Sequence, residues 1–218
     1  MSLSHREERP VPLTDEDRIA VEAVRRGSMD RFRDLVDRHG DAVYATLRRL
    51  AGSPELAEEL AQETFVRAFE HLDEFRGEAG FRTWLVQIAL NLVRDRRRRA
   101  RRSPAVISLE ELRARSHGRD DPPEQRPSVE PIARLAQREI SARLERELDR
   151  LPADYREAFV LKHVEGLPYE EIARVTGQTV GCLKVRVHRA RARLRRALAD
   201  VGRQEQDHGR VVGTIPRR

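Results

Sequence analysis

Tyr169-Glu170-Glu171-Ile172-Ala173-Arg174-Val175-Thr176-Gly177-Gln178-Thr179-Val180-Gly181-Cys182-Leu183 has the spacing of a helix, a tight turn and a second helix. Ile172 and Val175 recur at helical spacing and predict one face turned to a core. Ala173 is small enough for another helix to cross closely. Gly177 can supply a left-handed turn, and Thr179 can cap the helix that follows. On that second helix Leu183, Val187, Ala190 and Leu194 are spaced for a buried stripe, which leaves Gly181, Lys184, Val185, His188 and Arg189 on the opposite side. A packed back and a front of donors suit a helix that lies in a DNA major groove. The alternative is an ordinary helical hairpin with solvated arginines.

Working outward, the helix-turn-helix belongs to a block over residues 134–201. Its helices are expected from Leu135 to about Arg150, Pro152 to Val164, Tyr169 to Thr176, and Thr179 to about Val201. Residues 202–218 read as a polar, mobile tail. Upstream, Pro104, Pro122, Pro123, Pro127 and Pro131 alternate with Asp120, Asp121 and Glu124, so residues 103–133 read as a flexible linker. Within it Leu109-Glu110-Glu111-Leu112 could form a helical turn.

Residues 14–102 form another helical block. Thr14 precedes the acidic turn Asp15-Glu16-Asp17, a favourable start against the helix dipole. After Gly27, Ser28 can cap a long helix whose Phe32, Leu35, Val36, His39, Val43, Leu47 and Leu50 make one apolar stripe. Gly52 stops it, Ser53 caps a third helix, and Pro54 occupies that helix's first position. The third helix is expected to run to about Glu74. A loop over residues 75–80 then leads to a fourth helix, from Phe81 into the arginine cluster. The expected fold is all-α: two small helical domains joined by a flexible linker, loosely placed in isolation and without an internal repeat.

Composition narrows the function. Of 218 residues 37% are charged and only 5% aromatic, and the net charge is +6. Lys162 and Lys184 are the only lysines; the other cations are arginines, whose planar forks suit phosphate. The single cysteine, Cys182, rules out an intramolecular disulfide and a cysteine-rich zinc site. No apolar run suggests a signal peptide or a membrane span, so a cytoplasmic location without membrane insertion is expected.

Leu151-Pro152 through Leu167-Pro168-Tyr169-Glu170-Glu171-Ile172-Ala173, continuing into Val180-Gly181-Cys182-Leu183-Lys184-Val185-Arg186-Val187-His188-Arg189-Ala190-Arg191, closely resembles the minus-35-binding domain of extracytoplasmic-function sigma factors, in the sigma-70 superfamily. Glu58-Glu59-Leu60-Ala61-Gln62-Glu63-Thr64-Phe65-Val66-Arg67-Ala68-Phe69 resembles their polymerase-docking segment. Phe75-Arg76-Gly77, Phe81-Arg82-Thr83-Trp84-Leu85 and Ile88-Ala89-Leu90-Asn91 resemble the segment that opens and reads the minus-10 element. The resemblance covers most of residues 16–199.

The resemblance implies a factor that binds core RNA polymerase, recognises both promoter elements and promotes strand opening. Gly181, Lys184, Val185, Arg186, His188 and Arg189 would serve the minus-35 element. Arg67, His71, Phe75, Arg76, Phe81, Trp84 and Asn91 would serve the minus-10 element, with packing as the alternative for Phe81 and Trp84. Arg94, Arg97 and Arg98 would contact phosphate. Glu59, Leu60, Gln62, Glu63 and Phe65 would meet the clamp of the largest polymerase subunit, with the flap region as a further contact. An anti-sigma protein is an implied partner, and no cofactor or metal is implied. Thr176 and Gln178 stand where the family usually has apolar residues. Cys182 and Val185 replace small hydroxyl residues, so Val185 would meet a thymine methyl or make no specific contact.

Two other classes are weighed. A stand-alone duplex-binding regulator would have no need of the docking and loop segments. An enzyme would need ligand-spaced histidines, a phosphate loop or a catalytic partner for Cys182, none of which the sequence offers.

Overall fold

The computed structural model describes residues 12–102 and 141–211, with side chains to residue 199. α1 spans Asp15–Arg25, and Thr14 caps it by accepting from the Asp17 amide at 3.1 Å. α2 spans Arg31–Ala51. Ser28 does not cap it as expected. Asp30 holds the cap position without a side-chain bond, and the chain enters through backbone turns from Arg31 to Ser28 and from Phe32 to Met29. α3 spans Pro54–Glu70; the Ser53 hydroxyl accepts from the Leu56 amide at 3.2 Å, and Pro54 stands in the first turn.

α3 stops short of Glu74, and a separate 3-10 turn covers Leu72–Glu74. Arg25 of α1 explains the break. Its guanidinium collects the carbonyls of Leu72 at 2.7 Å and Phe75 at 2.5 Å, satisfying acceptors that a continuing helix would have used. α4 then runs Phe81–Arg102.

α2 packs against α1, α3 and α4. Leu35, Val43, Leu47 and Leu50 of α2 are buried with Ala57, Leu60 and Ala68 of α3 and with Phe81, Leu85, Ala89, Leu90, Leu92 and Val93 of α4. Each fully buried leucine contributes about 2–3 kcal/mol from removal of apolar surface from water.

In the C-terminal block residues 141–149 are helical (α5). α6 (Ala153–Phe159) continues as a π-helical turn over Val160–Val164, closed by the Glu165 amide on the Val160 carbonyl at 3.0 Å. α7 is Tyr169–Thr176 and α8 is Val180–Val211. α8 extends well past the expected end near Val201. Interior glycines, here Gly202 and Gly209, cost a helix only about 1 kcal/mol each, and no proline follows until Pro216. The linker over residues 103–133, with the turn considered at Leu109–Leu112, lies outside the described residues. So do the start of the helix expected from Leu135 and the tail beyond Val211.

The two blocks touch, contrary to the loose placement that the linker composition suggested. One apolar cluster runs from Leu35, Leu47 and Leu85 to Ala158, Leu161, Ile172 and Leu183, while Leu148, Leu151, Ala190 and Leu194 form a smaller one. Among the described residues no helix is long and apolar enough to cross a membrane.

Candidate nucleic-acid interface

The turn between α7 and α8 is built as its residues demand. Gly177 has φ 68°, in the left-handed region that a side chain disfavours, and its amide bonds the Ala173 carbonyl at 2.8 Å. Thr179 accepts from the Cys182 amide at 3.3 Å. Thr176 is buried, and its hydroxyl donates to the Ile172 carbonyl at 2.6 Å, so a polar residue fits where an apolar one is usual. Gln178 accepts from Arg186 at 2.6 Å.

Leu183, Val187, Ala190 and Leu194 are buried on one side of α8, whereas Gly181, Cys182, Lys184, Val185, His188 and Arg189 are exposed on the other. Val185 is 50% exposed, an apolar side chain held in the centre of a polar front. The Lys184 ammonium stands 5.7 Å from the centre of the Tyr169 ring, and that of Lys162 stands 4.8 Å away. Arg189 donates to the Tyr155 hydroxyl at 3.2 Å at the edge of the front. Arg186 departs from the expected set. Gln178 and Asp154, the latter at 3.1 Å, hold its guanidinium against the block, so it braces the turn.

In the N-terminal block Arg76, His71 and Asn91 are exposed, and His71 Nδ1 lies 2.9 Å from Glu74. Trp84 is half-buried. Phe75 and Phe81 are buried, and the three rings pack with centroids 5.1–5.5 Å apart. Phe81 is therefore a core residue and not a surface contact, and Phe75 anchors the loop from inside. Gly77, at φ 71°, lets the loop pass Leu13, whose Cδ2 lies 3.4 Å from where a Cβ would stand. Arg25, which holds the loop carbonyls, was missed; its only sequence signal is its place at the end of α1.

On α3 the expected docking set divides. Leu60, 3% exposed, belongs to the core because the buried stripe is Ala57, Leu60, Thr64 and Ala68. Phe65 is half-buried, and Glu63 pairs with Arg67 at 2.6 Å. The outer face presents Glu59, Gln62, Val66 and Phe69, and Phe69 meets Phe32 edge to face at 5.0 Å. Of the arginines assigned to phosphate, Arg98 is exposed beside Asp95. Arg94 and Arg97 turn inward: Arg94 pairs with Glu157 at 2.5 Å, and Arg97 donates to the Leu50 carbonyl at 2.7 Å. Burial holds the Arg97 guanidinium below its ordinary pKa, with Arg156 adding repulsion.

An exposed reading helix behind a glycine turn, joined to a second helical block that ends in arginines, defines a helix-turn-helix DNA-binding protein of two blocks. Residues 35–103 match the model of sigma-70 region 2, and residues 141–194 match that of sigma-70 region 4. The chain is 34% identical to the ECF RNA polymerase sigma factor SigW of Bacillus subtilis (strain 168) over 185 residues, 83% of this chain and 96% of the relative. The sigma factor RpoE from Bartonella quintana, solved with the anti-sigma factor NepR, is similar at 27% identity and a TM-score of 0.56, covering 77% of this chain and 96% of that one. CnrH, solved with the cytosolic domain of CnrY, is similar at 29% identity and a TM-score of 0.55, over 86% and 99% of the two chains. The chain belongs to the extracytoplasmic-function sigma factors of the sigma-70 superfamily. It is a non-catalytic transcription factor that binds RNA polymerase and recognises promoters.

Proposed function

We propose that α8 reads the minus-35 element as duplex, while the N-terminal block captures the minus-10 element as an opened strand. The observation that carries this reading is the division of α8 into a buried back and an exposed front of Gly181, Lys184, Val185, His188 and Arg189. Lys184 donates to base-edge acceptors or phosphate, and Val185 packs on a thymine methyl. The N-terminal block offers the guanidinium of Arg76, the imidazole of His71, the amide of Asn91 and the half-buried ring of Trp84, groups suited to unstacked bases. Arg98, the exposed one of the three arginines expected to meet phosphate, holds the adjoining backbone.

The outer face of α3 docks on the polymerase clamp, with Glu59 and Gln62 as the polar rim and Val66 and Phe69 as the apolar anchor. The C-terminal block meets the flap region. A dedicated anti-sigma protein restrains the factor, a reading supported by the similar RpoE chain having been solved with one.

Co-purification with core polymerase, followed by mobility shift on promoter fragments, tests this reading. The expected result is a stoichiometric complex that shifts promoter DNA more strongly than either component. A chain that shifts duplex DNA alone and never joins core polymerase would instead be a stand-alone regulator.

A further inference from the structure

Arg25 stands in the last turn of α1, where a cation ordinarily meets the closing carbonyls of its own helix. Its neighbour Arg26 does so, donating from Nε to the Glu22 carbonyl at 3.1 Å. Arg25 instead reaches 47 to 50 residues along the chain. Its Nη2 donates to the carbonyls of Leu72 at 2.7 Å, Asp73 at 3.3 Å and Phe75 at 2.5 Å. Three carbonyl oxygens that converge in this way repel one another unless a cation stands between them. The Asp73 carboxylate, 3.9 Å from Nε and 94% exposed, adds little.

The segment leading into α1 grips the loop a second time. Leu13, just ahead of the Thr14 cap, lies against Gly77, where a Cβ would stand 3.4 Å from Leu13 Cδ2. α1 is itself fixed, with Ala20, Val21 and Val24 buried. It lies ahead of residues 35–103, the part that matches region 2. Arg76 stands between the two holds and His71 directly before them, both exposed, with Phe75 buried.

We infer that Arg25 is a positioning residue for minus-10 recognition, fixing the backbone of residues 72–75 so that His71 and Arg76 are held ready for a base. This inference rests on the reading of the N-terminal block as the part that captures the opened strand. A loop ordered before binding loses less conformational freedom when the strand arrives, so the hold raises affinity for a fitting base. A strand that does not fit is held by backbone contacts such as that of Arg98, and gains nothing from the order of the loop. Arg25 thus acts on the preference between strands more than on affinity for DNA as such.

The test uses the full chain bound to core polymerase. The wild-type complex selects a preferred strand from a randomised single-stranded pool. Its affinity is then compared with that of a strand changed at the selected bases, for wild type, Arg25→Ala and Arg25→Lys. Arg25→Ala should bind the preferred strand about five- to tenfold less tightly, as expected when only a fraction of loops is competent, with the changed strand unaffected. Arg25→Lys, which restores a cation with three donors, should recover part of the preference. In the free chain Trp84 is the sole tryptophan and its ring centre lies 5.1 Å from that of Phe75, so acrylamide should quench it more readily in Arg25→Ala. Urea unfolding and binding to core polymerase check that the variants fold; should Arg25→Ala not fold, Arg25→Lys carries the comparison with a smaller narrowing expected. A preference as wide as that of wild type would overturn the inference, whatever Trp84 reports. Equal loss on both strands, with a salt slope shallower by about one, would overturn it and make Arg25 a direct phosphate contact. A pool that yields no preferred strand, or a His71→Ala/Arg76→Ala variant that binds it as wild type does, would overturn the reading of the loop itself and the inference with it.

Discussion

The Asp17 carboxylate and the His39 imidazole, 22 residues apart in sequence, meet at 3.0 Å in the buried seam between α1 and α2. Arg38 adds a bond to the same carboxylate oxygen at 2.5 Å. The His39 and Phe81 ring centres lie 5.5 Å apart, so this polar pair abuts the aromatic cluster that anchors the loop. Arg25, on the same helix as Asp17, holds the loop carbonyls. α1 is thus a brace for the loop.

Burial alone would raise the pKa of Asp17, but the bonds and charge of His39 and Arg38 outweigh it and hold the carboxyl below its ordinary value. The folded-state pKa is depressed, so the stabilisation is present above the unfolded value of 3.8 and is lost as pH falls through the folded one. Asp17→Asn should cost about 2–3 kcal/mol at neutral pH in urea unfolding, because it strips His39 and Arg38 of their anion. The deficit should shrink below the ordinary carboxylate range, where wild type loses the same interaction.

Glu171 is predicted to behave oppositely. It is 2% exposed, and neither carboxylate oxygen has a hydrogen-bond partner. Burial raises its pKa, and the nearby charge of Arg174 offsets only part of that. Folding therefore favours the protonated acid, and the carboxylate costs stability as pH rises from the unfolded value of 4.5 through the raised one. Glu171→Gln should stabilise the chain by about 1 kcal/mol at neutral pH. Thermal unfolding across pH should show the gain vanishing at low pH.

The two sides of α3 should separate folding from docking. Leu60→Ala removes a core side chain and should cost about 2–4 kcal/mol in unfolding experiments. Phe69→Ser and Val66→Ser act on the outer face and should cost about 1 kcal/mol or less. They should nevertheless weaken binding to core polymerase by about tenfold or more, measured by competition against the wild-type chain.

The sequence made the helical order legible because its caps and stops are local: Thr14, Ser53 and Gly177 act within a few residues of where they stand. The back and front of α8 were legible for the same reason, since one helix carries both. α3 was harder. Its buried stripe includes Thr64, which satisfies its hydroxyl on the Leu60 carbonyl at 2.7 Å, while Val66 and Phe69 lie outside. The resemblance placed Leu60 in the docking set, whereas the stripe of Ala57, Leu60, Thr64 and Ala68 turns it into the core. The inward turn of Arg94 and Arg97 was not legible at all, because Glu157 and the Leu50 carbonyl reach them only through the tertiary packing of distant segments.

On α8, Lys184→Ala should weaken binding to minus-35 duplex by about 1–3 kcal/mol. Val185→Ser should leave overall affinity nearly unchanged while altering the base preferred opposite position 185. Selection from a randomised duplex pool by the chain bound to core polymerase measures both.

The central claim is that this chain specifies where polymerase starts. Transcription in vitro, with purified core polymerase and a pool of genomic promoter fragments, tests it directly. The predicted result is a set of start sites that appears only with the chain and shares minus-35 and minus-10 motifs at a fixed spacing. Start sites that are unchanged by the chain, although it binds core polymerase, would contradict the account.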